Sequence, residues 1–193
     1  DDPRHLLASA RSVICVGKLY QTPWPLSTRF GDPDRAWISR YAWGEDYHGL
    51  MRRGLERLDS LLRERLDAFP GERTALESRI CVDTAPLLER SYARQAGLGW
   101  IGRNTCLINQ QQGSWFFLGE LLVSLEIPPD APPPDRCGTC MRCVEACPTA
   151  AIVPGQGLDA TQCISYFTIE LRGAIPEEQR AGVGAHVFGC DIC

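Results

Sequence analysis

Apolar positions recur along the chain with two spacings, one typical of buried strands and one typical of amphipathic helices. The segment SVICVGKLY (12–20) is mostly apolar and rich in β-branched residues, which predicts a buried strand. The segment 49–66 places its leucines along one helical face, which predicts an amphipathic helix that packs on a core. These leucines are Leu50, Leu55, Leu58, Leu61, Leu62 and Leu66.

Further along the chain the pattern predicts a strand, a helix and two more strands. RICVD (79–83) is a short strand, and Pro86 opens a helix that continues to about Ala96, where GLG ends it. NTCLIN (104–109) and SWFFLGELLVSLEI (114–127) are strands joined by the polar turn QQQG. The order β-α-β-α-β-β predicts an α/β or α+β fold.

A proline-rich stretch, PPDAPPPD, separates these elements from a cysteine-rich region. Proline-rich segments are extended and stiff, so we expect a linker here. The predicted organisation is an α/β domain over 1–127, a linker over 128–136 and a cysteine module over 137–193.

Composition excludes some classes of protein. The 193 residues are 44% hydrophobic and 23% charged, which is enough for a packed core. The net charge of −4 gives no sign of a nucleic-acid protein, although local basic patches remain possible. There is no apolar run of about 18 residues and no signal peptide. Because the chain begins without methionine and stops within CDIC, we expect it to be a segment of a longer protein.

Six of the ten cysteines lie in two tight groups, Cys137–Cys147 and Cys190–Cys193. Such spacing suits a metal better than pairwise disulfides. The run CGTCMRCVEACP has the C-x₂-C-x₂-C-x₃-C-P spacing of a [4Fe–4S] ferredoxin. Zinc is the rival metal, but the unbroken run and its terminal proline favour iron–sulfur. Three cysteines in apolar, strand-like contexts are interpreted as buried core thiols: Cys15, Cys81 and Cys106.

The segment GLGWIG (97–102) matches the dinucleotide fingerprint G-x-G-x-x-G, and Glu120 follows about 20 residues later. That fingerprint requires a strand before it and a helix after it, whereas here a helix precedes and an extended segment follows. We therefore interpret these glycines as a helix end, or as positions where a ligand approaches the backbone closely.

Two acidic segments carry candidate chemistry. Asp83 is predicted to end a strand and precede a helix, where α/β folds place ligand-facing groups; the alternative is that Asp83 or Thr84 caps that helix. DYH (46–48) is similar to the D-x-H-x-x-G motif whose histidine ligates cobalt, but Met51 occupies the final glycine position. A structural or capping role is the alternative for His48.

Several motifs, taken together, resemble the epoxyqueuosine reductase family in order and spacing, over essentially the whole chain. They are RYAWGEDYH, DTAPLLER, GLGWIGRNTCLI, CGTCMRCVEACPTAAI, LDATQCISYFTIELRG and FGCDIC. The resemblance implies a cytoplasmic enzyme with no membrane association that reduces epoxyqueuosine to queuosine at the wobble position of tRNA. It also implies cobalamin and two [4Fe–4S] clusters as cofactors, a ferredoxin-like module, an unidentified electron donor and a relation to reductive dehalogenases.

The same resemblance assigns roles to individual residues. Asp83, in the D-T-A-P motif, would donate the proton to the opening epoxide, because general acid catalysis of this step needs a carboxylic acid. Cob(I)alamin would act on the epoxide carbon, with no histidine of the protein on cobalt, in agreement with the incomplete D-x-H-x-x-G pattern. The residues expected to line the cobalamin pocket are Tyr47, His48, Gly99, Trp100, Gly102, Asn104, Thr105 and Ser165.

Cluster ligands follow from the two-cluster arrangement that the family implies, in which the fourth cysteine of a run ligates the other cluster. Cys137, Cys140 and Cys143 would hold one cluster, whose fourth ligand would lie past residue 193. The second cluster would be held by Cys147, Cys163, Cys190 and Cys193.

The family's first tens of residues, its last cluster ligand and its C-terminal helical repeats have no counterpart in these 193 residues, so we expect activity from the complete protein rather than the segment. Two alternatives stay open. One is a corrinoid reductive dehalogenase that acts on a small organohalide. The other is an electron-transfer module without chemistry of its own.

Overall fold

The computed structural model describes residues 2–68 and 75–193 of the chain, which form a mixture of strands and helices. In chain order its elements are β1 (Ser12–Leu19), β2 (Trp37–Ile38), α1 (Tyr47–Ala68), β3 (Ser78–Cys81), α2 (Glu89–Gln95), β4 (Trp100–Ile101), β5 (Leu107–Ile108), β6 (Phe116–Val123), α3 (Arg142–Ala146), β7 (Ile152–Val153), β8 (Gly157–Leu158), a π-helix (Tyr166–Glu170), α4 (Glu177–Val183) and β9 (His186–Phe188). None of the helices in these two ranges is long and apolar enough to cross a membrane.

The chain divides into two units, each built from three segments that alternate along the sequence. The first unit comprises the described residues of Asp1–Leu19, Glu45–Trp100 and Leu107–Pro134. The second comprises Tyr20–Gly44, Ile101–Cys106 and Asp135–Cys193. This division differs from the predicted boundaries, because 20–44 and 101–106 group with the cysteine region rather than with the predicted domain 1–127.

In the first unit a three-stranded antiparallel sheet has the order β1-β6-β3. The central strand β6 carries an almost continuous apolar run and is buried from Gly119 to Val123. Alternate side chains of β6 enter two separate cores. Leu121 and Val123 pack with Met51 and Leu55 of α1, whereas Leu122 packs on the opposite face. The sheet is therefore covered on both faces, as a mixed α/β architecture requires.

The predicted leucine face of α1 is only partly correct. Leu55, Leu58 and Leu62 pack on the sheet together with Met51, whereas three of the predicted leucines are exposed. The exposed ones are Leu50, Leu61 and Leu66. The buried positions follow the i, i+4, i+7, i+11 stripe of one helical face, and the exposed leucines lie outside that stripe.

The second unit is built from short elements around its own core. Ile164, Phe167 and Val183 form that core, with Cys190 and Ile192 packed against it. Strand β2 pairs in parallel with β9, so that Trp37 lies opposite His186. Strands β7 and β8 form a small antiparallel hairpin. No element in the described ranges of this unit is longer than seven residues.

Two predicted boundaries near the candidate site were wrong. Strand β3 ends at Cys81, two residues before Asp83, and α2 begins at Glu89 rather than at Pro86. Tight backbone turns explain both shifts, because the Thr84 N–H donates to the Val82 carbonyl and the Leu87 N–H to the Ala85 carbonyl. The helix-cap alternative for Asp83 is also wrong, since Leu88 precedes α2 and no side chain caps it.

The predicted strand 104–109 is reduced to Leu107–Ile108. The preceding residues form a turn in which the Gly102 N–H donates to the Cys106 carbonyl and the Thr105 N–H donates to the Gly102 carbonyl. Thr105 has a φ of 63°, a left-handed conformation that interrupts any extended strand.

Candidate functional site

Asp83 lies in an exposed loop between β3 and α2, with its side chain 56% accessible. Its φ of 53° is in the left-handed region, which is uncommon for residues other than glycine and is concentrated at functional sites. Two contacts hold this conformation. The Asp83 N–H donates to Oε1 of Glu89 at 2.6 Å, and Asp83 Oδ2 lies 3.3 Å from Nε2 of His48. The carboxyl group of Asp83 is thereby presented to solvent at a fixed position.

His48 is in the first turn of α1, and both of its ring nitrogens face carboxylates. Nδ1 lies 2.6 Å from Oδ1 of Asp46, which also accepts the His48 backbone N–H, the hydrogen bond of a helix N-cap. The hydrogen bond to Asp46 is the main cause of a raised pKa of His48, and Asp83 acts in the same direction. The two carboxylates therefore favour the imidazolium form, which donates from both nitrogens.

Tyr47 orients this corner of the site. Its ring stacks on Phe117 of β6 with centroids 4.2 Å apart and planes at 2°, and on His48 at 4.2 Å. The stack connects the beginning of α1 to the central strand. Tyr47, His48 and Asp83 are thus brought together in the first unit.

The glycine-rich segment 97–102 was predicted to end a helix or to let a ligand approach the backbone, and the structure shows a local role for Gly99. A Cβ on Gly99 would lie 2.3 Å from the Ile108 carbonyl oxygen, so glycine is required for close approach of two backbone segments. The indole N–H of Trp100 is buried without a hydrogen-bond partner within the described part of the chain. A buried donor of this kind is available to a ligand amide or carbonyl.

In the second unit, Asn104 fixes the turn that follows Gly102. Its side-chain oxygen accepts the Cys106 N–H at 3.2 Å, and its amide donates to the Cys193 carbonyl. Arg103, next in the same turn, donates to the Gly138 carbonyl at 2.6 Å. The turn is therefore bonded to both ends of the cysteine module.

Four of the seven predicted cluster ligands lie close enough together to influence one another's ionisation. Burial, followed by the charges of Cys163 and Cys147, raises the pKa of Cys190 to about 11. Cys193 keeps an exposed surface, yet surrounding protein atoms and the charges of the neighbouring thiols raise its pKa to about 12. A cluster bound to these thiols would have to supply the positive charge that stabilises their thiolates.

Cys147 differs from the other three cysteines of this group. Its sulfur accepts a hydrogen bond from the Ala151 N–H at 3.3 Å and lies 3.6 Å from the Thr149 hydroxyl. Burial acts in the opposite direction, but these hydrogen bonds lower the pKa of Cys147. The protein therefore stabilises a thiolate at this position, as a cluster ligand requires.

The remaining predicted ligands, Cys137, Cys140 and Cys143, lie in the loop before α3 and in α3 itself. The Cys137 N–H donates to the Asp135 carboxylate and the Cys140 N–H to the Cys137 carbonyl, which closes a tight turn between the first two. Over residues 2–68 and 75–193, no three His, Cys, Asp or Glu side chains converge closely enough to hold a metal ion. The ligand assignment stays a prediction.

Ser165 comes directly before the π-helix, two residues after Cys163. The π-helix is hydrogen-bonded to the residue before CDIC, because Thr168 Oγ1 accepts the Gly189 N–H at 3.0 Å. π-Helical turns occur frequently at functional sites, and this one follows a predicted cluster ligand.

Sequence reasoning missed three acidic groups and misplaced two thiols. Glu89 and the fully buried Glu120 lie behind Asp83, and Asp191 accepts from Ser39 Oγ and the Arg40 N–H. A glutamate inside the apolar run of 114–127 was the available signal for Glu120. Cys81 is buried as predicted, but Cys15 and Cys106 are only partly buried, and Cys106 contributes to the raised pKa of Cys193.

Comparison with known proteins shows what the chain is similar to. Residues 1–84 match the family model described as epoxyqueuosine reductase QueG, DUF1730, and residues 136–193 match the 4Fe-4S double cluster binding domain. An epoxyqueuosine reductase of Xanthomonas campestris is 47% identical over 99% of this chain and 52% of its own length. The chain is similar to epoxyqueuosine reductases over nearly its whole length. Its second unit therefore contains an iron–sulfur module of the double-cluster type.

Two further epoxyqueuosine reductases show the same level of similarity. The epoxyqueuosine reductase of Synechocystis is 46% identical over 98% of this chain and 63% of its own, and that of Escherichia coli is 43% identical over 99% and 49%. The chain thus spans about half to two thirds of the length of these curated relatives.

Solved structures of epoxyqueuosine reductases superpose on the fold. One with an epoxyqueuosine-modified tRNA-Tyr stem loop has a TM-score of 0.84 and 33% identity over 99% of this chain and 49% of its own. The Streptococcus thermophilus enzyme has a TM-score of 0.83 and 34% identity over 99% and 50%. In a Bacillus subtilis structure, with a TM-score of 0.83 and 32% identity over 99% and 49%, an aspartate-bearing catalytic loop is swung out of the active site.

Proposed function

We propose that the complete protein reduces epoxyqueuosine in tRNA to queuosine, with Asp83 as the proton donor to the opening epoxide. The observation that carries this proposal is the 47% identity with an epoxyqueuosine reductase over 99% of the chain. The solved relative with an epoxyqueuosine-modified stem loop supports tRNA as the substrate, and a tRNA substrate in turn favours a cytoplasmic location. The relatives reported above also favour this reaction over the reduction of a small organohalide, and over electron transfer alone.

Asp83 has the geometry that proton donation requires. Its carboxyl group is exposed on a loop whose backbone is held by Glu89, and its Oδ2 faces His48. Opening an epoxide leaves an alkoxide oxygen, and a neighbouring carboxylic acid can protonate that oxygen as the bond breaks. The contact between His48 Nε2 and Asp83 Oδ2, at 3.3 Å, would hold the carboxyl group in place.

Cobalamin and two [4Fe–4S] clusters are the proposed cofactors, and the match of residues 136–193 to a double-cluster binding domain supports the clusters. When bound, cobalamin would supply the nucleophile for the epoxide carbon and the clusters would supply its electrons from an external donor. Because Asp46 and Asp83 occupy both nitrogens of His48, the protein presents no free histidine at this position as a cobalt ligand. Cys147, Cys163, Cys190 and Cys193 are the proposed ligands of one cluster, and Cys137, Cys140 and Cys143 of the other.

The remaining predicted pocket residues are proposed contacts of the corrin. Trp100 offers a buried N–H without a partner among the described residues. Gly102, Asn104, Thr105 and Ser165 complete the proposed set, together with Tyr47, His48 and Gly99.

Replacement of Asp83 tests the proposal. Asp83→Asn keeps the shape of the side chain but removes its acidic proton, and loss of general acid catalysis typically costs about 10²–10⁴ in rate. The complete, cofactor-loaded variant should convert epoxyqueuosine tRNA at less than a tenth of the normal rate under anaerobic conditions, with unchanged cobalamin and iron content.

Asp67→Asn, at an exposed position of α1, is the matched control and should retain normal turnover. Normal turnover in loaded Asp83→Asn would refute a proton-donor role for this residue.

A further inference from the structure

We propose that Glu120 and Glu89 form a proton-sharing carboxyl pair that positions the Asp83 loop, so that loss of the shared proton switches the enzyme off at alkaline pH. Neither glutamate would touch the substrate, and both are positioning residues. The inference rests on the proposed role of Asp83 and extends it to the groups behind the loop.

Glu120 lies at the centre of the first unit. It is in the middle of β6, where its cross-strand partners are Cys15 of β1 on one side and Cys81 of β3 on the other. The residue is 0% exposed, and neither carboxyl oxygen receives a hydrogen bond from any donor in the described part of the chain. An ionised carboxylate in this position would be both buried and unpaired, which is strongly unfavourable.

The group that faces Glu120 from α2 is another carboxyl, that of Glu89. Burial, followed by the charge of Glu89, raises the pKa of Glu120 to about 8, and a hydrogen bond that protonated Glu120 would donate to Glu89 acts in the same direction. Burial also raises the pKa of Glu89. Two adjacent carboxyl groups can form a hydrogen bond only when one of them carries a proton.

The other ionisable groups facing Glu120 leave the proton on the carboxyl pair. Burial and the charge of Glu120 raise the pKa of Cys15 to about 12, and Cys81 is shifted in the same direction, mainly by burial. Both thiols are therefore neutral near pH 7. Tyr92 of α2, whose pKa is raised by burial, is neutral as well. Arg79 and Arg52 act on Cys81, and neither contributes to the shift of Glu120.

The proton shared by the two carboxyl groups therefore lies on Glu120, because Glu89 also accepts a hydrogen bond from Asp83. Glu89 Oε1 accepts the Asp83 N–H at 2.6 Å, and a charged acceptor makes this hydrogen bond stronger. With Glu120 as the neutral donor, Glu89 stays ionised and is hydrogen-bonded on both sides. The chain Glu120–Glu89–Asp83 then holds the left-handed backbone at Asp83, a conformation that persists only when its surroundings enforce it.

Deprotonation of Glu120 reverses this arrangement. Two negative charges would then face each other in an apolar interior, and the Glu89 side chain would be driven away from Glu120 and from its hydrogen bond with Asp83. The Asp83 loop would lose its anchor. Wild-type turnover should consequently fall about tenfold per pH unit above a midpoint near 8, as expected for a single deprotonation.

Glu120→Gln tests whether titration of the Glu120 carboxyl group causes the alkaline fall in turnover, or whether the residue has only a structural role. Glutamine keeps the shape and an N–H donor for Glu89 but cannot titrate. The complete, cofactor-loaded variant should turn over epoxyqueuosine tRNA within about threefold of wild type at pH 7 and should lack the fall near pH 8. Glu56→Gln, an exposed position on α1, is the control and should keep the wild-type profile. An unchanged alkaline fall in Glu120→Gln would overturn the proposal.

A second measurement needs neither turnover nor a folded Glu120 variant. Infrared difference spectra of the wild-type protein between pH 7 and pH 9 should show loss of the carbonyl stretch of one protonated carboxylic acid. In Glu89→Gln, whose amide oxygen still accepts from Asp83, the midpoint of this loss should move to lower pH because the neighbouring charge is gone. If no such band titrates in the wild-type protein, the pair does not share a proton.

The two proposals fail separately. Normal turnover in Asp83→Asn would refute the proton-donor role, while the infrared titration would still decide the carboxyl pair. A wild-type pH profile in Glu120→Gln would refute the positioning role and leave Asp83 as the proton donor.

Discussion

Two residues hold Asp83, one at its side chain and the other at its backbone. His48 lies on the side of its carboxyl group, and Glu89 binds its backbone N–H. The side chain is left exposed while the backbone is fixed, which is the arrangement expected of a group that must meet a substrate in one geometry. The same contacts make the histidine a useful reporter of the site.

We predict that His48 titrates above its ordinary pKa of 6.5, and that Asp46 contributes more to this than Asp83. Proton NMR of the His48 ring in wild type, Asp46→Asn and Asp83→Asn measures both effects. The midpoint should fall in each variant, and further in Asp46→Asn. Because the pKa is raised in the folded state, the stabilisation from these hydrogen bonds is present below pH 6.5 and is lost as the pH rises through the shifted value. A larger fall in Asp83→Asn would contradict the assignment of Asp46 as the main partner.

Some residues of the site could be predicted from local sequence, and others could not. Asp83 and His48 occur in recognisable short motifs. The pairing of Glu89 with Glu120 depends on how α2 packs across β1 and β6, and nothing within a few residues of either glutamate indicates it. The left-handed backbone of Asp83 could not be predicted from the sequence either, because it results from the turns after β3 and not from the identity of the residue.

Among the elements, the long periodic ones were the most predictable. Strand β1 and helix α1 were predicted to within two residues at each end, because burial of a continuous apolar pattern determines them. The predicted strand 104–109 was mostly wrong because hydrogen bonds within a turn outweigh the β propensity of its residues. Short connecting segments are determined by their tertiary contacts, which a local pattern does not contain.

Alanine substitutions at Gly99 and Gly54 test the close backbone approach between Gly99 and Ile108. Gly99→Ala would place a Cβ 2.3 Å from the Ile108 carbonyl oxygen, and a backbone atom cannot move aside as a side-chain end can. We expect Gly99→Ala to lower the free energy of unfolding by about 1–3 kcal/mol or more, as overpacking does. Gly54→Ala in α1 meets nothing within 4 Å and should raise that free energy by up to about 1 kcal/mol. Chemical denaturation of both variants measures the difference, and equal stabilities would refute the close approach at Gly99.

At the scale of the whole molecule, the assignment of the cluster ligands leads to a prediction about metal content. Anaerobic reconstitution of the complete protein should yield about eight iron atoms with matching sulfide, as two [4Fe–4S] clusters require. Cys163→Ala should lose about half of that iron, because Cys163 lies with Cys147, Cys190 and Cys193. Cys81→Ala, in the core of the first unit, should keep the full content. Bound zinc without sulfide in the wild-type protein would refute the iron–sulfur assignment.

The interleaving of the two units has a consequence for synthesis on the ribosome. Strand β2 emerges early, but its partner β9 and the Asp191 side chain that binds Ser39 and Arg40 are translated roughly 150 residues later. At about 5–20 residues per second, the nascent chain holds residues 20–44 without these partners for roughly 8–30 s. Trp24, Phe30 and Trp43 remain exposed even in the finished fold, so this aromatic segment presents unpaired apolar surface throughout that interval, the condition in which nascent chains aggregate.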